Sequence, residues 1–277
     1  MLGFFLMKTK GVCKMSEKYN VICLKWGNWY PVDDVNKLYH MIKRHTSFDI
    51  DFYCFTDDPK GLDPEIIAGP MTHLNVRPEQ NKYAYRKEAG LCDDNLGGLN
   101  GQRVFYFDLD SLIVGNLDEF FRYPQGDKFY IINDWNSKGK HVGQASCYSW
   151  VVGTLGYIKK YFEDHPEEVV DQFYTASQEY LSSKVIEKYG HLNFWPEKWF
   201  CSFRFHCLPP MPFRWWMMPK IPKWPGLKMV AFHGMPGMED ARLGIWCSNP
   251  DDSKYPRGLK RLYKHTEPVK WIDEYWK

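Results

Sequence analysis

The sequence predicts an α/β fold in a single domain, with a mixed, mostly parallel sheet flanked by helices. Three observations lead to this prediction. First, an apolar run at residues 21–24, a helix-spaced apolar pattern at residues 35–42 and a strand-like run at residues 50–56 follow one another, as at the start of a doubly wound sheet. Second, the continuously apolar run at residues 104–107 suits a central strand buried on both faces. Third, polar residues follow these runs, and ligands of open α/β sheets bind at the carboxyl ends of the strands.

The other elements follow in chain order. The first helix is expected to begin with Asp33 or Asp34 as its N-cap. Beyond strand two we expect a Pro- and Gly-rich loop at residues 60–79 and a helix at 81–94, followed by the central strand. After the central strand we expect a short helix at 118–123, a strand at 128–136, a helix that ends near residue 165 and a long helix at 169–191. From residue 193 the chain is dense in Trp, Phe, Met and Pro without a period, which predicts irregular structure up to a late strand at residues 229–232. The tail from residue 242 is expected to dock as a terminal helix.

Composition limits the classes of function. The 277 residues carry a formal charge of only +2, so no overall electrostatic attraction to nucleic acid or to an anionic membrane is expected. The eight cysteines form no Cys-x-x-Cys pair, which argues against a structural zinc site and favours a reducing, cytoplasmic compartment. Residues 1–18 are expected to be a loose extension, because their apolar patch precedes the basic residues and is too short to span a bilayer.

Two carboxylates end the central strand. Alternate side chains of a strand share a face, so Asp108 and Asp110 are predicted to point the same way and Leu109 the opposite way. Two adjacent acids at the carboxyl end of a buried strand predict a cation site. A strand that ends in a turn with solvated acids is the alternative.

Two neighbouring strand ends carry further candidate groups. In the loop after strand one, Trp26 or Tyr30 offers a stacking platform for a planar base, and Lys25 offers a charge. Asp57, after strand two, is placed to accept a ribose or base hydrogen bond. Equally, the aromatic residues can seal the core and Asp57 can cap a turn.

Cationic and imidazole groups complete the set. Arg86 and Lys87 precede the acidic strand and are candidates for holding a diphosphate, with solvation at the surface as the alternative. His233 ends the late strand, so it lies at a carboxyl end like the two acids, although a single histidine there is usually structural.

Together these motifs resemble nucleotide-sugar glycosyltransferases of the GT-A (Rossmann-like) fold, in particular the glycogenin-like group and small bacterial or viral glycosyltransferase-like proteins. The resemblance covers about residues 19–239. It rests on KWGNWY, FTDDP, YAYRKEAGL, FYFDLDSLIVGNLDEFF and the late AFHGMP. It implies a glycosyltransferase domain at residues 19–240, with a nucleotide-binding half at about 19–122 and an acceptor-side half at about 123–240, and a docked tail at 241–277.

The resemblance also implies roles for single residues. Asp108, Asp110 and His233 would bind Mn2+ or Mg2+, which bridges the donor diphosphate. The implied nucleotide contacts are Lys25, Trp26, Tyr30, Asp57, Arg86, Lys87, Leu109 and Gly234. The candidate catalytic residues are Gln178, Glu179 and Asp134. The implied reaction moves a hexose, with retention, from a UDP- or GDP-sugar to a carbohydrate, lipid or protein acceptor, without nucleic acid as a partner and without a transmembrane segment.

The sequence departs from this family in several places, and one of them lies after the late His-Gly. Relatives carry a Lys after the late His-Gly, whereas here Gly237 and Met238 follow Pro236. A degenerate protein that binds a nucleotide sugar without turnover is therefore an alternative. A phosphatase of the haloacid dehalogenase type, with Asp108 as nucleophile, is a weaker one, because strands precede the motif here.

Overall fold

A computed structural model of the protein describes residues 17–77, 79–80, 83–137, 141–174 and 177–277, without the side chains of residues 83, 84 and 86. All but the last two residues of the predicted N-terminal extension lie outside this range. The strands are β1 (Lys18–Lys25), β2 (Asp49–Thr56), β3 (Ile66–Pro70), β4 (Arg103–Phe107), β5 (Ser111–Ile113), β6 (Tyr130–Asn133), β7 (Gly143–Val151), β8 (Asn193–Phe194), β9 (Phe200–Ser202) and β10 (Met229–Ala231). The helices are α1 (Val32–Arg44), α2 (Tyr83–Glu88), α3 (Asp118–Arg122), α4 (Gly156–Asp164), α5 (Pro166–Phe173), α6 (Ser177–Tyr189), α7 (Met238–Leu243) and α8 (Ile272–Tyr275).

The main sheet has seven strands in the order β3-β2-β1-β4-β7-β6-β8. Strands β3, β2, β1 and β4 pair in parallel, as do β6 and β8, whereas β7 is antiparallel to both of its neighbours. A second sheet has the order β5-β10-β9, so it joins the strand after the central motif to two late strands. The sheet is thus mixed and mostly parallel, as predicted.

Strand β4 lies at the centre of the core. Phe105 and Phe107 belong to the hydrophobic cluster on one face of the sheet, and Val104 and Tyr106 belong to the cluster on the other. All four are fully buried. Alternation along a strand therefore supplies both apolar layers, which confirms the prediction of a strand buried on both faces.

Several predicted element boundaries were wrong. Helix α1 follows Pro31 rather than an Asp33 or Asp34 cap, because proline fits the start of a helix and leaves both acids in the first turn. The expected loop at residues 60–79 contains β3, an edge strand that tolerates Gly and Pro because one side makes no ladder bonds. The expected long helix is divided into α5 and α6 after Tyr174, whose φ is +47°.

The C-terminal segment packs on the domain. Val269, Trp271 and Ile272 are buried in the core, and the Trp271 indole donates to the carbonyl oxygen of Pro219. Seven of the cysteines lie in the described part of the chain, and all seven are free thiols. Within that part, no helix has the length and apolar character needed to cross a membrane.

Candidate active site

The candidate site lies at the topological switch point of the main sheet, where the strand order reverses. Lys25 at the end of β1 aligns with Thr56 at the end of β2, and Ile22 aligns with Tyr106 of β4. The carboxyl ends of these three parallel strands therefore meet at one edge. Chain order proceeds from β1 to β2 on one side and jumps to β4 on the other, which creates the crevice where doubly wound folds bind ligands.

The two acids lie in a turn, which we call the acidic turn (residues 108–110). Strand β4 ends at Phe107, and the main-chain N–H of Ser111 donates to Asp108 O at 3.1 Å, so the prediction that the acids lie within a continuous strand was wrong. The chain turns here because β5 leaves the main sheet to pair with β10. Phe232 N donates to Asp110 O at 3.0 Å, which fixes the turn from the other side. Leu109 is buried, so its side chain is not exposed for the nucleotide contact predicted for it.

Lys87 and Asp108 form an ion pair in this turn. Lys87 Nζ lies 2.6 Å from Asp108 Oδ2, and the Tyr106 hydroxyl donates to Asp108 Oδ1 at 3.0 Å. Burial acts to lower the pKa of Lys87, but the negative charges of Asp108 and Glu88 outweigh it and leave that pKa raised. Lys87 is therefore a charged, largely buried cation beside the acids. The Arg86 side chain lies outside the described residues.

Asp110 is placed differently from Asp108. Its Oδ1 is buried and has no hydrogen-bond partner within the described part of the protein. Burial, and then the charge of Asp108, raise the pKa of Asp110 to about 7, while Lys87 opposes the shift. A buried carboxylate oxygen without a donor fits a hard cation, and Mg2+ commonly takes one or two carboxylates and completes its shell with phosphate and water. No group of three His, Cys, Asp or Glu side chains placed to hold a metal occurs among the described residues, so Asp108, Asp110 and His233 do not form a preassembled three-ligand centre.

The loop after β1 is closed by polar contacts. Lys25 is buried, and its Nζ donates to Gly27 O at 3.2 Å. Gly27, at φ +57°, donates its N–H to Asp57 Oδ2 at 2.9 Å, so the ends of β1 and β2 are joined. Trp26 packs against the core. Burial, followed by the charges of Asp110 and Asp108, raises the pKa of Tyr30.

His233 lies in an aromatic pocket. Its Nε2 is 2.7 Å from the Ser202 hydroxyl, and its ring stacks on Trp135 at 5.2 Å and on Phe205 at 6.0 Å. Burial lowers the pKa of His233 to about 4, against the opposing charge of Asp134. The imidazole is therefore neutral at physiological pH, which is the form that binds a metal.

The predicted catalytic residues do not share one environment. Asp134 is buried beside His233, with its Oδ1 unpaired within the part of the chain that the structure describes. Gln178 Oε1 accepts from Ala145 N at 3.3 Å and so contacts β7, whereas Glu179 is exposed. Gly234 is exposed at φ +85°, a conformation that favours glycine.

Four residues of the site were missed by sequence reasoning. Tyr106 precedes Asp108 by two residues, and strand alternation was a signal that could have found it. Glu88, 3% exposed, lies behind Lys87, and its burial raises its pKa while Lys87 opposes this. Ser202 and Trp135 reach His233 only through long-range contacts, for which the sequence offers no local signal.

Comparison with known proteins shows which solved structures share this fold. No protein family model and no curated protein matches the chain. Solved structures do match. WbbM, a bifunctional glycosyltransferase in its apo form, is 12% identical with a TM-score of 0.51 over 83% of this chain and 48% of that one. The apo form of the glycosyltransferase GlyE of Streptococcus pneumoniae TIGR4 is 14% identical with a TM-score of 0.49 over 66% of this chain and 46% of that one. This chain therefore spans less than half the length of either. The predicted fold class, a mixed α/β sheet of the glycosyltransferase type, is confirmed.

Proposed function

We propose that this protein is a metal-dependent glycosyltransferase that moves a sugar from a nucleoside diphosphate sugar to an acceptor hydroxyl. The observation that carries the proposal is the acidic turn: two carboxylates at the carboxyl end of β4, one with a buried oxygen that lacks a donor among the described residues, beside a lysine. The glycosyltransferase fold supports it. Within the proposal, UDP- or GDP-hexose is the donor and the configuration of the sugar is retained.

Each side chain has a role in donor binding. The Lys25–Tyr30 loop, held to Asp57 through Gly27, forms the side of the crevice that we assign to the nucleoside. Lys87, at the acidic turn, is assigned to a phosphate oxygen of the donor, because its charge persists despite its burial.

The acids would hold the cation. Asp108 and Asp110 supply hard oxygen ligands for Mn2+ or Mg2+, and neutral His233 is the further candidate. When bound, the cation neutralises the negative charge that develops on the departing diphosphate. Trp135 and Phe205 each stack on the His233 ring, and we assign these aromatic side chains to packing against a sugar ring.

Asp110→Asn tests the assignment. In calorimetry, the parent protein is expected to bind either UDP or GDP. This binding should occur only when Mn2+ or Mg2+ is present. Asp110→Asn should weaken this binding at least 100-fold, since the anionic ligand is lost while the shape is kept. Asp251→Asn, in an exposed loop, is the matched control and should bind like the parent. Undiminished metal-dependent binding by Asp110→Asn would falsify the site assignment.

Turnover separates catalysis from binding alone. Release of the nucleoside diphosphate from the donor sugar, followed with Mn2+ and with EDTA, should depend on the metal and on Asp110. Metal-dependent binding without any release, in the presence of candidate acceptors, would instead favour the degenerate nucleotide-sugar-binding protein. The anomeric configuration of the product then decides between retention and inversion.

A further inference from the structure

Two segments near the carboxyl terminus are basic and free of acids. Residues 204–224 and 253–266 together contain nine Lys and Arg and no Asp or Glu. The protein as a whole has a formal charge of only +2, so this concentration of one sign is local. We call the surface formed by these two segments the aromatic-basic surface.

The same segments expose large apolar side chains. Leu259 is 80% exposed, Trp216 is 63% exposed and Leu262 is 58% exposed. The other exposed apolar residues of the two segments are Phe205, Met211, Phe213, Trp215, Met217, Met218 and Tyr263. Single exposed apolar residues are ordinary on proteins, but a contiguous group of this size marks an interaction site.

Side-chain contacts join the two segments into one surface. The Trp215 ring stacks on His265 at 4.1 Å with an interplanar angle of 8°, and its Nε1 donates to Leu262 O at 3.0 Å. Arg214 donates to the carbonyl oxygens of Pro209 and Tyr263. Exposed apolar and cationic side chains are therefore presented side by side on a fixed backbone.

The cations of this surface are held by main-chain oxygens. Arg257 donates to Pro250 O, Arg261 to Pro256 O, and Lys264 Nζ to Lys254 O. A carbonyl group accepts a hydrogen bond without neutralising the positive charge. The surface therefore keeps a positive potential that an anionic partner can satisfy.

We propose that the aromatic-basic surface docks the protein on a lipid bilayer that contains anionic lipids. Trp and Tyr prefer the headgroup region, Leu and Met suit the acyl boundary, and Lys and Arg attract anionic headgroups. A second copy of this surface is disfavoured, because two cationic faces repel each other. Nucleic acid is disfavoured because exposed Leu and Met side chains gain little from bases or phosphates.

The surface adjoins the candidate site through Phe205. This residue is 44% exposed, and its ring stacks on His233 at 6.0 Å. A bilayer on the aromatic-basic surface would thus lie next to the aromatic side chains that we assign to the sugar. Docking itself does not depend on the proposed enzymatic function.

Vesicle flotation of the full chain tests the proposal. We expect binding to vesicles of phosphatidylcholine and phosphatidylglycerol in a 7:3 ratio, little binding to pure phosphatidylcholine, and weaker binding as salt is raised. Lys223→Gln combined with Lys260→Gln should weaken binding roughly 25-fold, about fivefold for each charge. Trp216→Ser combined with Leu259→Ser should weaken it at least roughly tenfold. All four positions are exposed, so the variants should fold.

Matched controls lie on the β3 side of the protein. Lys60→Gln and Ile67→Ser remove an exposed charge and an exposed apolar group there, and should leave vesicle binding within twofold of the parent. Equal binding to both kinds of vesicle, or no loss in the double variants, would overturn the proposal. The proposal would also be overturned if the protein did not bind vesicles and instead formed a dimer, or a complex with RNA, that the same double variants abolish.

Discussion

The two sides of the candidate site hold their polar groups in different ways. On the side that we assign to the nucleotide, called the nucleotide side, full charges face each other, with Lys87 bridging Asp108 and the buried Glu88. On the side that we assign to the acceptor, called the acceptor side, neutral His233 is hydrogen-bonded to Ser202 and stacked on aromatic rings. Ion pairs can exchange partners when a charged ligand arrives, whereas a neutral imidazole has no charged partner to exchange. This difference is consistent with our proposal of a diphosphate on one side and a sugar on the other.

The largest expected effect comes from replacing Lys87, the cationic side chain between Asp108 and Glu88. Lys87→Met leaves Asp108 and nearly buried Glu88 without their shared partner, so the free energy of unfolding should fall by about 3 kcal/mol. Urea unfolding followed by circular dichroism measures this. Lys160→Met is the control, because its pair with Asp164 is exposed and should contribute less than about 0.5 kcal/mol. Equal losses in the two variants would mean that the nucleotide side is not organised around a buried ion pair.

An intermediate effect is expected at the start of α1. Burial raises the pKa of Asp34 to about 6, and neighbouring Lys37 opposes this only in part. Because the folded pKa exceeds that of the unfolded chain, the folded state is penalised as pH rises through 6. Asp34→Asn should therefore stabilise the protein by about 2 kcal/mol at pH 8, and the gain should vanish below about pH 4.

Asp33→Asn is the matched control for this prediction. Asp33 lies in the same helical turn but is exposed and paired with Lys37 at 2.7 Å. Its replacement should change stability by less than about 0.5 kcal/mol at any pH. If Asp34→Asn gives the same stabilisation at pH 4 and at pH 8, burial of a charge is not the cause. In that case Asp34 would no longer provide an unfavourable buried charge to compare with the ion pairs of Lys87.

The smallest effect is expected on the neutral side. Ser202→Ala removes the hydroxyl that bonds His233 and should lower the free energy of unfolding by about 1 kcal/mol. Ser111 provides a matched control, since its buried hydroxyl has no partner among the described residues and Ser111→Ala should be neutral or slightly stabilising. Thermal unfolding of both variants measures the difference. A loss from Ser202→Ala as large as that from Lys87→Met would remove the contrast between the two sides.

The same contrast explains what the sequence could predict. Strands β1, β2 and β4 and helix α1 have strong local periodicity, and their apolar residues are buried as expected. That was enough to place Asp57 and the acidic turn at one edge of the sheet. The turn itself was mistaken for a strand, because its conformation depends on Phe232 and Ser146, which are distant in sequence.

The acceptor side could not be predicted to the same extent. Its contacts join His233 to Trp135 and Ser202 across irregular structure that has no period. Short strands such as β8 and β9 carry too few residues for an alternating pattern. The metal, donor and catalytic roles of the predicted residues remain predictions, which the binding and turnover measurements decide.

The pairing of β5 with β10 has a consequence for biosynthesis. Phe232 N, just after β10, donates to Asp110 O, so the acidic turn is completed by a residue about 120 positions later in the chain. A ribosome adds about 5–20 residues per second, so a nascent chain waits on the order of ten seconds between making the acids and making their anchor. During that interval the first half can form its parallel strands but not this turn. We expect the nascent first half to pair its parallel strands before the acidic turn can form and bind a ligand.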